Sequence, residues 1–204
     1  DSPQNAYDIY KELYKKAKDE KVSYNALEKM YQLVESQKVG KEDTSEIFHG
    51  FQKFSKSKIV GDHALYTLAN LSLQNGDTVK AIKNLEKALS YNLSFPDQKA
   101  KALAKLGDIS YDQFLYKQAF KNYDSAVVLI KTDSILKQNL SAKTNALKNI
   151  IVQQDIASQQ DSLLYLSTLT REELAQYIKD LNKTERKTKR RNDAIIGDDA
   201  TYVS

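Results

Sequence analysis

The chain has no cysteine, and only two prolines and six glycines stand among its 204 residues. Without cysteine, neither a disulfide framework nor a thiolate metal site can form. Few prolines and glycines leave few positions at which a regular element must stop, which favours long helices. There is no basic-then-apolar signal segment and no apolar run long enough to span a bilayer. Since the first residue is Asp1, we expect a processed chain or a piece of a longer protein.

Excess charge of one sign is confined to one short stretch. The net charge is +4, and residues 183–191 hold six basic residues against one glutamate, a local charge of +5. The other residues together therefore carry −1, with both signs mixed along them. Such a body lacks the basic face that phosphate binding needs, so nucleic acid is not an expected partner.

Sequence patterns of the common catalytic sites are also missing. There is no glycine-rich phosphate loop, no GxSxG elbow and no HExxH pair. His49 and His63 fall on different predicted helices, and we expect surface or cap positions for both. Most carboxylates have lysine neighbours at helical spacing, which is typical of a solvated, salt-bridged face. We therefore expect a protein that is not an enzyme and has no catalytic residue, cofactor or metal.

An internal repeat of 38 residues is the strongest pattern that is present. Small residues at positions 69, 81 and 88 recur at 107, 119 and 126 with unchanged spacing. The two sets are Leu68-Ala69, Ala81, Leu85 and Ala88, and Leu106-Gly107, Ala119, Tyr123 and Ala126. Small side chains at fixed spacing indicate places where two helices cross closely.

This repeat resembles the tetratricopeptide repeat, a helical hairpin with a period of about 34 residues. The resemblance covers residues 62–130. Asn75-Gly76-Asp77 stands where that family turns between its two helices, and the four additional residues fall around residues 94–97, between the repeats. The resemblance implies an all-α fold: a right-handed solenoid of antiparallel helical hairpins that holds partner proteins together.

Upstream of the repeat the pattern decays. Apolar stripes predict two helices, at about 5–19 and 24–38. The stripes are Tyr10, Leu13, Tyr14 and Ala17, and then Leu27, Met30, Tyr31 and Val34. Large residues, Ile47, Phe51 and Phe54, stand 34 residues before the first set of small ones, and we interpret them as a degenerate hairpin.

Downstream, two more helices and a tail are expected. Asp133 is a candidate N-cap for a long helix to about Gln160 that covers the last repeat. Its apolar face is Leu136, Leu140, Leu147, Ile150 and Ile151. Thr170 and Glu173 form a capping-box signature before a short amphipathic helix. We therefore divide the chain into a repeat array with its capping helix (1–160), amphipathic helices ending in the basic run (161–191) and a disordered tail (192–204).

The order of these features resembles the SprE/PorW family of gliding-motility and type IX secretion lipoproteins of the Bacteroidetes. The residues that carry the resemblance are Gln159–Leu166 and Leu169–Glu173, which follow the repeats and a long helix. It implies a periplasmic fragment of an outer-membrane lipoprotein, with other secretion components as partners and membrane attachment through a lipid anchor of the parent chain. The lipidated cysteine expected near the start of such a protein is missing from this piece. The alternative is a periplasmic ligand- or peptide-sensing tetratricopeptide domain of a signalling protein.

The inner face of the first helix of each repeat is the candidate partner-binding groove. In this sequence it comprises Tyr66, Asn70, Leu73, Gln74, Lys101, Lys105, Asp108, Tyr111 and Asp112. Asn70, Lys101 and Lys105 match positions of the carboxylate clamp with which some members of the repeat family hold a peptide C-terminus. Thr67 departs from that pattern, and an ordinary solvated groove is the preferred interpretation.

The sequence also predicts where four of the tyrosines and the basic run lie. Tyr10, Tyr14, Tyr31 and Tyr123 fall on apolar stripes, so we expect them in the core. The run 183–191 could dock a partner or meet anionic lipid or nucleic acid. A solvated helix end is the preferred interpretation, because basic residues are favourable at a helix C-terminus.

Overall fold

The computed structural model describes residues 2–37, 44–91 and 96–199, and of Thr44 and residues 189–199 it describes the backbone alone. The described residues form nine α-helices and no β-strand. The helices are α1 (Pro3–Lys16), α2 (Glu20–Glu35), α3 (Thr44–Phe54), α4 (Gly61–Gln74), α5 (Thr78–Leu89), α6 (Pro96–Asp112), α7 (Tyr116–Leu129), α8 (Ser134–Thr168) and α9 (Arg171–Asp199). The predicted all-helical fold class is confirmed.

Two helical hairpins, α4/α5 and α6/α7, correspond to the 38-residue repeat. In the first, Gly76 adopts a positive φ of 75° at the turn, and Asp77 caps α5 by accepting the backbone N–H of Lys80 at 2.9 Å. The small residues are buried at the helix crossings as predicted, with Ala81 and Ala119 both at 0% exposure. The spacing of small side chains therefore reported the crossing points correctly.

The first two helices are present, but both begin earlier than predicted. Asp19 accepts the backbone N–H of Val22 at 2.9 Å and starts α2 at Glu20. The backbone at Ala17 is extended, so α1 ends at Lys16. A short polar residue before a helix satisfies N–H groups that have no partner inside the helix. The start of α2 therefore follows the cap at Asp19 and not the start of the apolar stripe.

The predicted degenerate hairpin contributes one helix, α3, which packs between α2 and α4. Ile47, Phe51 and Phe54 are buried in a cluster shared with these neighbours. The ring of Tyr24 on α2 meets Phe51 and Phe54 edge-on, with ring centroids 6.0 and 5.6 Å apart. Large side chains fill this junction, where the later hairpins use alanine.

The expected burial of tyrosine is confirmed for Tyr31 and Tyr123, and it is partial for Tyr10 and Tyr14, which pack against the same apolar cluster as Tyr31. Tyr10 and Tyr14 are only half-buried, because α1 is the first helix and packs mainly against α2. Tyr7 and Tyr24 are more deeply buried in this cluster, at 3% and 2% exposure.

The capping helix α8 begins as predicted and ends later. Asp133 accepts the backbone N–H of Leu136 at 2.9 Å, and Leu140 and Leu147 are buried against the last hairpin. The helix runs to Thr168 instead of Gln160, since residues 161–168 contain neither proline nor glycine.

The chain divides into two compact units, residues 1–151 and 152–204, whereas the sequence placed this boundary at residue 160. The second unit contains the end of α8 and all of α9. The capping box of α9 is confirmed: Thr170 accepts the N–H of Glu173 at 3.3 Å, and Glu173 accepts the N–H of Thr170 at 2.8 Å.

Helix α9 continues through residues 192–199, which the sequence predicted to be disordered. This segment has no proline, and Gly197 is its only glycine, so few residues in it oppose continuation of the helix. Residues 200–204 of the predicted tail lie outside the described residues. Among the helices that the structure describes, none combines the length and the apolar character needed to cross a bilayer.

Candidate partner-binding site

Polar contacts link α2 to α4 and link α6 to the first part of α8, while α4 and α6 share an apolar cluster that includes Ala69 and Ile109. Gln74 on α4 donates to the carboxylate of Glu35 on α2 at 3.3 Å. Lys143 on α8 donates to the carboxylate of Asp108 on α6 at 2.7 Å. The predicted groove residues on α4 and α6 therefore belong to a wider surface, which we call the even-helix face.

Tyr66 connects the middle of this face. Its ring is half-buried on α4, and this burial raises the pKa of its hydroxyl, while a hydrogen bond with Asn70 opposes the rise. The carboxylates of Asp108 and Glu35 raise the pKa of Tyr66 further. The hydroxyl is thus within electrostatic range of both α2 and α6.

Asp108 joins three helices through one carboxylate oxygen. Its Oδ1 accepts the hydroxyl of Tyr123 on α7 and the ammonium of Lys143 on α8, both at 2.7 Å. The Lys143 ammonium also lies 5.1 Å from the centre of the Tyr123 ring, within the range of a cation–π contact. Burial, followed by the hydrogen bond to Asp108, raises the pKa of Tyr123. The sequence assigned Asp108 to the groove, and the structure gives it a second task of holding α7 and α8 in place.

A cleft of about 510 Å³ opens beside this carboxylate, and we call it the α6–α8 cleft. Tyr111 stands at its edge with 47% of its surface exposed, and its ring meets Tyr116 edge-on at 5.6 Å. The lining residues are Asp108, Tyr111, Asp112, Tyr123, Lys143, Ala146, Leu147 and Ile150. An apolar wall beside a charged edge can hold an apolar side chain and orient a polar one.

The structure separates the other predicted groove residues. Gln74 lines a second cleft of about 700 Å³ between α2, α3 and α4, where Tyr31 and Phe48 also lie. Leu73 is half-buried and packs against the apolar cluster under α4 and α6. The predicted groove residues therefore do not share one groove: Gln74 lines one cleft, Asp108, Tyr111 and Asp112 line the other, and the remaining five line neither.

The residues matched to a carboxylate clamp are not arranged around one free space. Asn70 is engaged with the hydroxyl of Tyr66. Thr67 is buried and donates its hydroxyl to the carbonyl of His63 at 3.2 Å. Lys101 is exposed near Asp97, whose pKa is lowered first by the hydroxyl of Thr132 and only weakly by this lysine.

Sequence reasoning missed the contribution of α8 to the site. Leu147 and Ile150 were predicted as an apolar packing face, which was a partial signal. Lys143 and Ala146 gave no signal, because their place in the cleft depends on where α8 crosses α6. Tyr123 was expected in the core alone, and its hydroxyl reaches Asp108 from there.

The histidines lie apart from the cleft. His49 is exposed on α3, as predicted. His63 is partly exposed near the start of α4, with its Nδ1 2.9 Å from the carboxylate of Asp62. Within the part of the chain that the structure describes, no three histidine or acidic side chains gather closely enough to hold a metal ion.

The basic run lies on α9. Lys183, Arg186 and Lys187 are exposed, and the side chains of residues 189–191 lie outside those described.

No protein-family model matches this chain, and no curated protein sequence does either. A function for this chain must therefore be inferred from the chemistry of the α6–α8 cleft and of the surface beside it.

Proposed function

We propose that the chain is a non-enzymatic interaction scaffold that binds a segment of a partner protein in the α6–α8 cleft. The observation that carries the proposal is Tyr111, a 47% exposed aromatic side chain beside the apolar wall formed by Leu147 and Ile150. Exposed tyrosines next to apolar pockets contribute much of the energy of protein–protein interfaces, because they bury apolar area and offer a hydroxyl.

The array is proposed to be of the tetratricopeptide type, a right-handed solenoid of stacked hairpins. The 38-residue repeat and the pairing of α4 with α5 and of α6 with α7 support it. In such an array the first helices of successive repeats share one surface, which is the position of α4 and α6 on the even-helix face.

The proposed setting is the type IX secretion apparatus, with the parent protein attached to the outer membrane on its periplasmic side. The resemblance of residues 159–173 to the SprE/PorW family supports this setting. These residues form the end of α8 and the start of α9, and they include the capping box at Thr170. Other components of the apparatus are then the proposed partners.

The test is a pull-down of secretion-apparatus proteins with the Tyr66→Ala/Tyr111→Ala variant. We expect the variant to lose the partner, and the loss to persist at high salt, because buried aromatic area carries the binding. Tyr165→Ala is the matched control, since Tyr165 is a 55% exposed tyrosine outside the cleft. Equal recovery of the partner by the wild type and the double variant would reject the proposed site.

A ligand-sensing domain is the second candidate function, and the volume of the α6–α8 cleft favours it. About 510 Å³ lies within the range of small-molecule pockets, which is about 300–1,000 Å³. A sensor would melt at a higher temperature with a small molecule from periplasmic extract, and the Ile150→Phe variant, which narrows the cleft, would not respond. A scaffold would show no such shift. A transmembrane helix and a kinase encoded downstream in the parent gene would also favour the sensor.

A further inference from the structure

Four charged residues form one row along α6, and two of them, Asp108 and Asp112, line the cleft. Lys101, Lys105, Asp108 and Asp112 are separated by four, three and four residues, so they lie on the same side of the helix. All four are at least partly exposed. We call this row the α6 rim.

The rim is positive at one end and negative at the other. Its cations, Lys101 and Lys105, precede its anions, Asp108 and Asp112, and the whole row spans about 16 Å at 1.5 Å per residue. Lys143 pairs with Asp108, whereas Asp112 has no cation paired with it among the described residues. Lys101 lies one turn after Asp97 and lowers the pKa of that carboxyl, so it is partly compensated. The charges without such a neighbour are thus Lys105 toward one end of the rim and Asp112 at the other.

This order of charges works against the stability of α6. A helix carries partial negative charge at its C-terminus, where Asp112 is the last residue, and no basic residue stands in the last turn. The negative charge of Asp108 is compensated by the hydroxyl of Tyr123 and the ammonium of Lys143. The negative charge of Asp112 has no such partner among the described residues. A carboxylate that disfavours its own helix and lines an open cleft is placed for an external cation.

We propose that the α6–α8 cleft binds an amphipathic segment with acidic residues at one end and basic residues at the other. This inference rests on the proposed function and adds the chemistry and direction of the partner. The acidic end lies at Lys101 and Lys105, and the basic end lies at Asp112. Apolar residues between these ends contact Tyr111 and Ile150.

Segments of uniform charge fit the rim poorly. A wholly acidic segment meets Lys101 and Lys105 favourably but places an anion at Asp112, and a wholly basic segment has the opposite conflict. Like charges that face each other across an interface disfavour wrong partners, and complementary charges fix the register of the right one. The rim therefore selects the direction in which a segment lies in the cleft.

The experiment uses the full chain and four synthetic helical peptides of about 16 residues with one shared apolar stripe. Two are bipolar, with glutamates first and lysines last or in the reverse order, and two carry glutamate or lysine at both ends. We expect both bipolar peptides to bind, and the uniform ones to bind about ten-fold more weakly, since each exposed charge pair adds a small factor.

Direction is read from a nitroxide at the peptide N-terminus and the broadening of backbone amide signals in the labelled protein. The glutamate-first peptide should broaden signals around Lys101, and the lysine-first peptide should broaden signals around Asp112. In the Lys101→Glu/Lys105→Glu/Asp112→Lys variant the two patterns should exchange. Its circular dichroism melt shows whether the variant stays folded, and Asp108 is left unchanged because it holds α7 and α8.

Each outcome decides a separate point. If the peptides bind in one direction whatever their charges, the inference is overturned while peptide binding in the cleft stands. If uniform peptides bind as tightly as bipolar ones, the inference is overturned in the same way. If none of the four binds at about 1 mM, both the inference and the proposed cleft function fail.

Discussion

The ring of Tyr123 lies directly against Gly107, so that a β-carbon added at Gly107 would overlap the ring atoms. The contact joins α6 to α7 at the crossing that the 38-residue repeat indicated. From Gly107 the ring extends to Asp108, which accepts its hydroxyl at 2.7 Å. The closeness of this glycine to the ring thus sets the position of the hydroxyl that holds the carboxylate at the α6–α8 cleft.

Replacing Gly107 by alanine should destabilise the protein by about 1–3 kcal/mol, because the methyl group displaces the Tyr123 ring. Alanine gains about 1 kcal/mol in helix propensity, which offsets part of that cost. Urea denaturation measures the balance. Asn145→Ala, at an exposed site on α8, is the control and should be neutral or slightly stabilising. A Gly107→Ala protein as stable as the wild type would contradict the contact.

Removing the Tyr123 hydroxyl should cost about 0.5–1.5 kcal/mol, the usual contribution of one hydrogen bond. The Tyr123→Phe variant keeps the ring against Gly107 and leaves Asp108 with Lys143 alone. Tyr116→Phe removes a hydroxyl that makes no hydrogen bond with the described residues, so it should cost almost nothing. If chemical denaturation gave the same loss in free energy of unfolding for both variants, the hydrogen bond of the Tyr123 hydroxyl would not stabilise the fold.

Enlarging a buried alanine should overpack a helix crossing. Ala81→Leu and Ala119→Leu should each destabilise by about 1–3 kcal/mol, since both positions are fully buried. In a chain of this length, that corresponds to a loss of about 2–4 °C in melting temperature per kcal/mol. Lys83→Leu, at an exposed position on α5, should have a far smaller effect. Similar melting losses at all three sites would be incompatible with the crossings described.

Stability should fall in acid partly through Glu46. A hydrogen bond from Lys11, at 2.9 Å, is the main cause that lowers the pKa of Glu46 below 4.5, and Lys15 at 3.2 Å adds to it. A lowered pKa means that the stabilisation is complete above pH 4.5 and is lost as the pH falls from there through the folded-state pKa.

The Glu46→Gln variant should therefore lose less than about 1 kcal/mol at neutral pH and show a shallower decline below pH 4.5. Denaturation at a series of pH values measures this. Glu86→Gln, an exposed carboxylate on α5, should leave the decline unchanged. A Glu46→Gln profile parallel to that of the wild type would rule out the contribution.

Truncation after Asn182 separates the cleft from the basic run. If the cleft binds the partner, the truncated chain should retain most of its affinity, because residues 1–151 form a compact unit without α9. If the run at Lys183 binds it, truncation should abolish binding, and high salt should have the same effect, since charge is screened within about 8 Å at physiological ionic strength. Isothermal titration with the recovered partner distinguishes the two.

Sequence spacing predicted the pieces of the site better than their arrangement. Tyr66 and Tyr111 were expected on one inner face, and the 38-residue repeat correctly placed each on the first helix of a hairpin. It could not show that Gln74 lines a separate cleft toward α2, because that depends on α3, where large residues replace the alanines of the repeat. Boundaries were less accurate, since a single cap such as Asp19 moved the start of α2.

The amino-acid sequence by itself determined the helical class, the hairpin crossings at Ala81 and Ala119, and the caps at Asp133 and Thr170. These features depend on local periodicity, on side-chain size at fixed spacing and on hydrogen bonds across three residues. All of them lie within a few turns of one helix or in one repeat, so spacing along the chain is sufficient to find them.

Only the tertiary structure decided what surrounds Asp108. Its partner Lys143 is 35 residues away in the chain, and the wall at Leu147 and Ile150 belongs to a helix outside the repeat. Their meeting depends on the angle and depth at which α8 packs on α6 and α7. That packing is set by the combined shape of many buried side chains, which no single spacing in the sequence encodes.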